Sequence, residues 1–154
     1  MVLSTVTARI LTQDLWDAAC KLSVHAHQLK EVSTVSEALI LVKRSTSKNP
    51  NVPVGVFLDE KLVGFLLLLC DTLSNSNFWI SRFFIDKQFQ GQGLGFKSIP
   101  QIIALLRKTF PNADRLNLCV NPSNTPARKL YKKCGFVEQQ NWIINGDNVW
   151  SIDL

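Results

Sequence analysis

Along the chain the apolar positions change period several times, and each change marks an element. Thr5 to Leu11 has strand character, and Thr12 can cap a helix running to about Leu22, with Asp14 and Asp17 near its positive end. Val32, Val35, Leu39 and Val42 recur at helical spacing and predict a second helix ending near Lys43, then a loop from Ser45 to Pro53. Val54 to Leu58 and Leu62 to Cys70 flank Asp59-Glu60-Lys61 as a hairpin, and Phe78 to Ile85 is the next strand. Ile99, Ile102, Ile103 and Leu106 mark a long helix, in which Pro100 should introduce a kink or delay the regular start. Leu116 to Val120 reads as a strand and a short helix carries Tyr131. Phe136 to Gln140 and Asn148 to Ile152 then pair around Asn145-Gly146-Asp147.

Composition bounds this pattern. A chain of 154 residues with 46% hydrophobic content is the size of one ordinary domain, residues 1–154, with a full core. The amino end lacks a basic start followed by an apolar block, and the longest apolar run, Leu62 to Cys70, is too short to span a bilayer. A cytoplasmic protein without a membrane segment is the expectation. Cys20, Cys70, Cys119 and Cys134 are scattered, with no C-x-x-C pair and only His25 and His27 to join them. Buried free thiols are expected there, and no metal site. The formal charge of +5 favours an anionic partner, but no basic block interleaved with aromatics points to nucleic acid.

The anion has an obvious seat. After the apolar strand Phe83-Phe84-Ile85 comes Gln90-Gly91-Gln92-Gly93-Leu94-Gly95, directly before the long helical pattern. Glycines let backbone approach a phosphate, and the helix start offers unpaired N–H groups and the positive end of its dipole. A Walker loop would end in Gly-Lys-Ser/Thr, whereas Gly95 is followed by Phe96; the dinucleotide fingerprint fails because its sixth position is also Phe96. What remains is Gln90-x-x-Gly93-x-Gly95.

A second segment, Asn124-x-x-Ala127-x-x-Leu130-Tyr131-x-x-x-Gly135-Phe136, follows about thirty residues later. Pro126 suits a first helical turn, Ala127, Leu130, Tyr131 and Cys134 share one face, and Gly135 suits a left-handed cap. In this order the two segments resemble the Q/R-x-x-G-x-G/A and N-x-x-A-x-x-L-Y signatures of the GNAT family of N-acetyltransferases. The resemblance implies an α/β (α+β) fold with a mixed, mostly antiparallel sheet of six to seven strands and about four helices on both faces. It implies acetyl-coenzyme A as cofactor, its pyrophosphate on Gln90 to Gly95 and its pantetheine arm along the backbone of Phe83, Phe84 and Ile85. Tyr131 would be the general acid for the departing sulfur, and Asn124 and Lys133 would contact the cofactor. For Asn124 the residue pattern leaves a plain helix cap equally open.

Within the family the chain is most similar to the spermine/spermidine (diamine) acetyltransferase branch around Trp79 to Gly91. It departs where those relatives carry acids, at Ser81 and at His27. Ser81 can position a water and His27 can accept a proton, so both are candidate substrate residues. The implied reaction is direct attack by a primary amine (small amine, polyamine or peptide amine) in a ternary complex. Two alternatives stand beside it: a member that binds acyl-coenzyme A without turnover, and a transferase acting on charged tRNA. A homodimer stays open.

Overall fold

The computed structural model describes residues 3–28 and 34–154. Seven strands form one sheet in the order β1-β2-β3-β4-β5-β7-β6. They are β1 (Val6–Ile10), β2 (Asn51–Leu58), β3 (Lys61–Cys70), β4 (Asn77–Ile85), β5 (Arg115–Val120), β6 (Val137–Ile144) and β7 (Asp147–Asp153). All pairings are antiparallel except β4 with β5. Four α-helices, α1 (Trp16–Cys20), α2 (Val35–Lys43), α3 (Leu94–Thr109) and α4 (Thr125–Lys133), complete the expected fold. Two apolar cores lie on the two sides of the sheet. One gathers Val54, Leu66, Phe78 and Leu116 with Ile99, Ile102 and Leu106 of α3, and Tyr131 of α4 and Cys134 at its C-cap pack against it. The other gathers Phe57, Phe65, Leu67 and Phe84 with Ala19, Val35, Ala38 and Leu39.

The differences from the sequence reading have local causes. The first helix is a single α-turn, Trp16–Cys20, led in by a 3₁₀ turn at Gln13–Leu15. The Thr12 hydroxyl donates to the Asp14 carboxylate instead of accepting from a backbone N–H, so the helix starts without its cap. The second begins at Val35, where Thr34 Oγ1 accepts from Glu37 N–H at 3.2 Å; Val32 lies outside the described residues. Strand β2 starts earlier than expected, at Asn51, taking Pro53 into the pair with β3. Pro100 sits inside α3, which runs from Leu94 without interruption. The four cysteines are free, but only Cys70 is buried; Cys134 is half-buried, and Cys20 and Cys119 are exposed. The alternation along β5 explains Cys119: its neighbours Leu118 and Val120 take the core positions.

Two irregularities shape the middle of the sheet. Strands β4 and β5 pair only at Asn77–Arg115, Phe78–Leu116 and Trp79–Asn117, and then part. At the root of this opening the fully buried Asn117 donates from Nδ2 to Asn77 Oδ1 at 2.6 Å and to the Phe78 carbonyl at 3.1 Å. Its own Oδ1 accepts from Ser151 Oγ at 2.5 Å. Further along, the register with β3 slips between Phe65–Phe84 and Leu67–Ser81, a bulge with Arg82 at φ 57. A left-handed non-glycine residue costs about 1–2 kcal/mol, and bulges of this kind re-aim the strand beside sites. Gly64 makes room for the displaced strand, since a Cβ there would lie 2.8 Å from the Phe84 carbonyl oxygen.

Candidate active site

The opening between β4 and β5 is a cleft of about 530 Å³. Phe83, Phe84 and Ile85 form one wall, and Asn124, Ala127, Leu130 and Tyr131 of α4 and its lead-in form the other. Gln90 and Gly95 line its floor; Val24, His27 and Gln28, from the turn after α1, line its rim. Because β5 has left, the edge of β4 at Phe83 to Ile85 has no strand partner on that side among the described residues, although Phe84 and Ile85 are buried. Backbone amides so placed are open to solvent or to a ligand that runs alongside them.

The glycine loop is shaped by its backbone. Gly91 and Gly93 have φ of 81 and 75, and a Cβ at either would meet nothing within 4 Å. Both are exposed, so the loop presents bare peptide groups to solvent at the start of α3. Gly95 has ordinary helical geometry, and its hydrogen-sized side chain keeps the cleft floor open beneath Leu130. Gln90 turns its amide inward: Nε2 donates to the Ile85 carbonyl at 2.8 Å. Gln92 is exposed, and Leu94 is buried in the core and anchors the loop rather than facing the cleft.

On the opposite wall Asn124 is an N-cap, its Oδ1 accepting from Ala127 N–H at 3.3 Å, and it also lines the cleft. Both readings of this residue are thus compatible with the geometry. Tyr131 is half-buried, and desolvation, followed by the nearby Cys134, pushes its phenol above the ordinary tyrosine range. At neutral pH it is an O–H donor. Lys133 stands apart, its Nζ 4.5 Å from the centre of the Phe96 ring, in a shallower groove between α3 and α4. Ser81 does not line the cleft; its hydroxyl accepts from Arg82 Nη1 at 3.1 Å. His27 does line it, stacked on His25 at a centroid distance of 5.7 Å.

Val24 and Gln28 join the site without any sequence signal of their own, because they are brought there by contacts between distant segments, whereas Ser123 enters as the chain neighbour of Asn124. No metal-binding cluster occurs among the described residues, and no described helix is long and apolar enough to cross a membrane.

Comparison with known proteins agrees with this geometry. The family model described as Acetyltransferase (GNAT) family matches residues 13–136. The spermine/spermidine N(1)-acetyltransferase of Bacillus subtilis (strain 168) is 27% identical over 155 aligned positions, covering 97% of this chain and 99% of the relative. Among solved structures, aminoglycoside acetyltransferase AAC(6')-Ib in complex with coenzyme A superposes with a TM-score of 0.77 at 18% identity, over 97% of this chain and 95% of that one. Spermidine N-acetyltransferase from Vibrio cholerae, in complex with coenzyme A and spermine, gives 0.70 at 20% identity, over 96% and 95%. With a family match spanning most of its length, this chain belongs to the GNAT acetyltransferase family.

Proposed function

We propose that the protein transfers an acetyl group from acetyl-coenzyme A to a small primary amine by direct attack in a ternary complex. The observation that carries this reading is the β4 segment Phe83 to Ile85 facing Tyr131 across the cleft, with the glycine loop and the start of α3 at its base. Acetyl-coenzyme A supplies a thioester carbonyl and a thiolate leaving group. The N–H groups of Gly91 to Gly95 would hold its diphosphate, and the backbone of Phe83 to Ile85 would align its arm and orient the carbonyl. Tyr131 would donate its O–H to the departing sulfur. A thiol titrates near 8.5, well below this phenol, so Tyr131 would steady the leaving thiolate by a hydrogen bond and keep its own proton, while the proton that the amine sheds as the N–C bond forms ends on the sulfur once the C–S bond has broken.

The acceptor would approach over the rim formed by Val24, His27 and Gln28, which line the cleft. Support for an aliphatic amine comes from the relatives, whose names specify spermine and spermidine. A thiol-release assay with acetyl-coenzyme A and a panel of polyamines, monoamines and peptide α-amines tests the reading. Release that depends on one amine class supports it; tight coenzyme A binding with no amine-dependent release would make the protein a binding-only member of the family.

A further inference from the structure

Two side-chain amides meet where the floor of the cleft joins its rim. Gln28, on the turn after α1, and Gln90, at the head of the glycine loop, exchange hydrogen bonds in both directions. Gln90 Nε2 donates to Gln28 Oε1 at 3.0 Å, and Gln28 Nε2 donates to Gln90 Oε1 at 3.3 Å. Each is also bound within its own segment. Gln90 Nε2 donates to the Ile85 carbonyl at 2.8 Å, while Gln28 Oε1 accepts from His25 N–H at 3.1 Å and Gln28 N–H donates to the His25 carbonyl at 2.9 Å. A continuous set of bonds therefore runs from the end of β4, through the loop, into the turn that puts His27 on the cleft wall.

A primary amide has two N–H donors. Both of those on Gln90 are committed, one to Ile85 and one to Gln28, so its side chain has none left for a phosphate. The same two segments are tied again at Ser23, whose N–H donates to Asp86 Oδ1 at 2.9 Å and whose carbonyl accepts from Lys87 N–H at 2.8 Å. The Ser23 tie fixes the base of the turn; the glutamine pair fixes its tip, where both glutamines line the cleft.

We infer that Gln28 is a positioning residue that latches the acceptor turn to the phosphate loop, so that ordering the loop also orders the wall carrying His27. The latch rests on the coenzyme A reading above. Because coupling between two sites is reciprocal, an amine held at the turn tightens coenzyme A binding to the same degree.

Hydrogen exchange on the full chain, with coenzyme A alone as probe, reads this directly. In the natural protein coenzyme A should slow exchange at the glycine loop and also, by about fivefold, at Val24 to Gln28. In Gln28→Leu the loop should remain protected while the protection of the turn is lost, and Gln90→Leu should break the same link from the other side. Gln28→Glu keeps the two accepted bonds, from Gln90 Nε2 and His25 N–H, and should restore the protection. Full protection of the turn in Gln28→Leu, or none in the natural protein when its loop is protected, would overturn the latch. Protection of neither segment by coenzyme A would instead sink the cofactor reading, and the latch with it.

Discussion

Tyr131 meets Phe136 edge-on, with ring centroids 5.6 Å apart and planes inclined by 69°. The Phe136 N–H also donates to the Tyr131 carbonyl at 2.9 Å, across a turn that Gly135 makes at φ 99. Phe136 is buried, so the phenol is held from its ring and from its backbone by the core beneath it.

Tyr131→Phe preserves that ring contact and removes only the O–H. Turnover should fall by roughly ten- to a hundredfold with coenzyme A affinity nearly constant. An unchanged kcat in a chemistry-limited assay would return Tyr131 to packing alone.

The same phenol predicts an alkaline signature, and as the chain's one tyrosine it can be followed by tyrosinate absorbance. Its pKa is raised in the fold by burial, with Cys134 adding to the effect. Its contribution to stability is therefore complete below the unfolded value near 10 and declines as pH climbs beyond it, because only the unfolded chain ionises readily. Tyrosinate should appear together with unfolding, and Tyr131→Phe should blunt the alkaline loss. Tyrosinate forming with a midpoint near 10 in a protein with native circular dichroism would show a solvated phenol.

Gly93 and Gly95 separate backbone strain from cleft filling. At φ 75 with open surroundings, Gly93→Ala should cost about 1–2 kcal/mol of stability in urea denaturation. Gly95→Val keeps helical geometry but places methyl groups on the cleft floor next to Leu130, so calorimetry should show more than about a tenfold loss of coenzyme A affinity, with little change in stability. Unaltered affinity in Gly95→Val would remove the floor from the cofactor site.

Among the described residues no carboxylate lines the cleft. An aliphatic amine titrates near 10.4, so its free-base fraction grows about tenfold per pH unit below that value, and spermidine kcat/KM should climb steeply between roughly pH 7 and 9. A peptide α-amine, near 7.7–8.0, should level off within the same range. A flat spermidine profile would reveal a base within the protein, and its disappearance in His27→Ala would identify that base.

Asn117 joins the two parts of the sheet through two hydrogen bonds to β4, and a third, from Ser151 of β7, holds it within its own part. Asn117→Ala leaves the Asn77, Phe78 and Ser151 groups short of partners and should cost about 3 kcal/mol, measured by urea denaturation. A loss under about 1 kcal/mol would show that water replaces the amide there.

Much of this site could be read from the chain because its signals are local. Gly93 occupies the left-handed position opening α3, and Ala127, Leu130 and Tyr131 fall on one helical face, each arrangement fixed by neighbours a few residues away. What escaped was set by tertiary contact. Gln28 and Gln90 are 62 residues apart, and neither carries a sign of the other. Arg82 takes a conformation that an L-residue avoids, so no propensity announces the bulge. The acids missing at Ser81 and His27 could be counted from sequence, but only the folded strand shows that the Ser81 hydroxyl is held by Arg82.

The parting of β4 and β5 after Trp79 also has a mechanical meaning. Strands β1 to β4 and strands β5 to β7 are two plates stitched along a seam of three residue pairs, with Asn117 as the rivet. The seam itself is short, but the core beneath it is shared, with Val54 and Leu66 of one plate and Leu116 and Trp150 of the other packed in a single cluster. Below the seam the cleft is walled by β4 on one side and by α4 and its lead-in on the other. A ligand lying there would fill the place that β5 gives up, as the missing neighbour of β4.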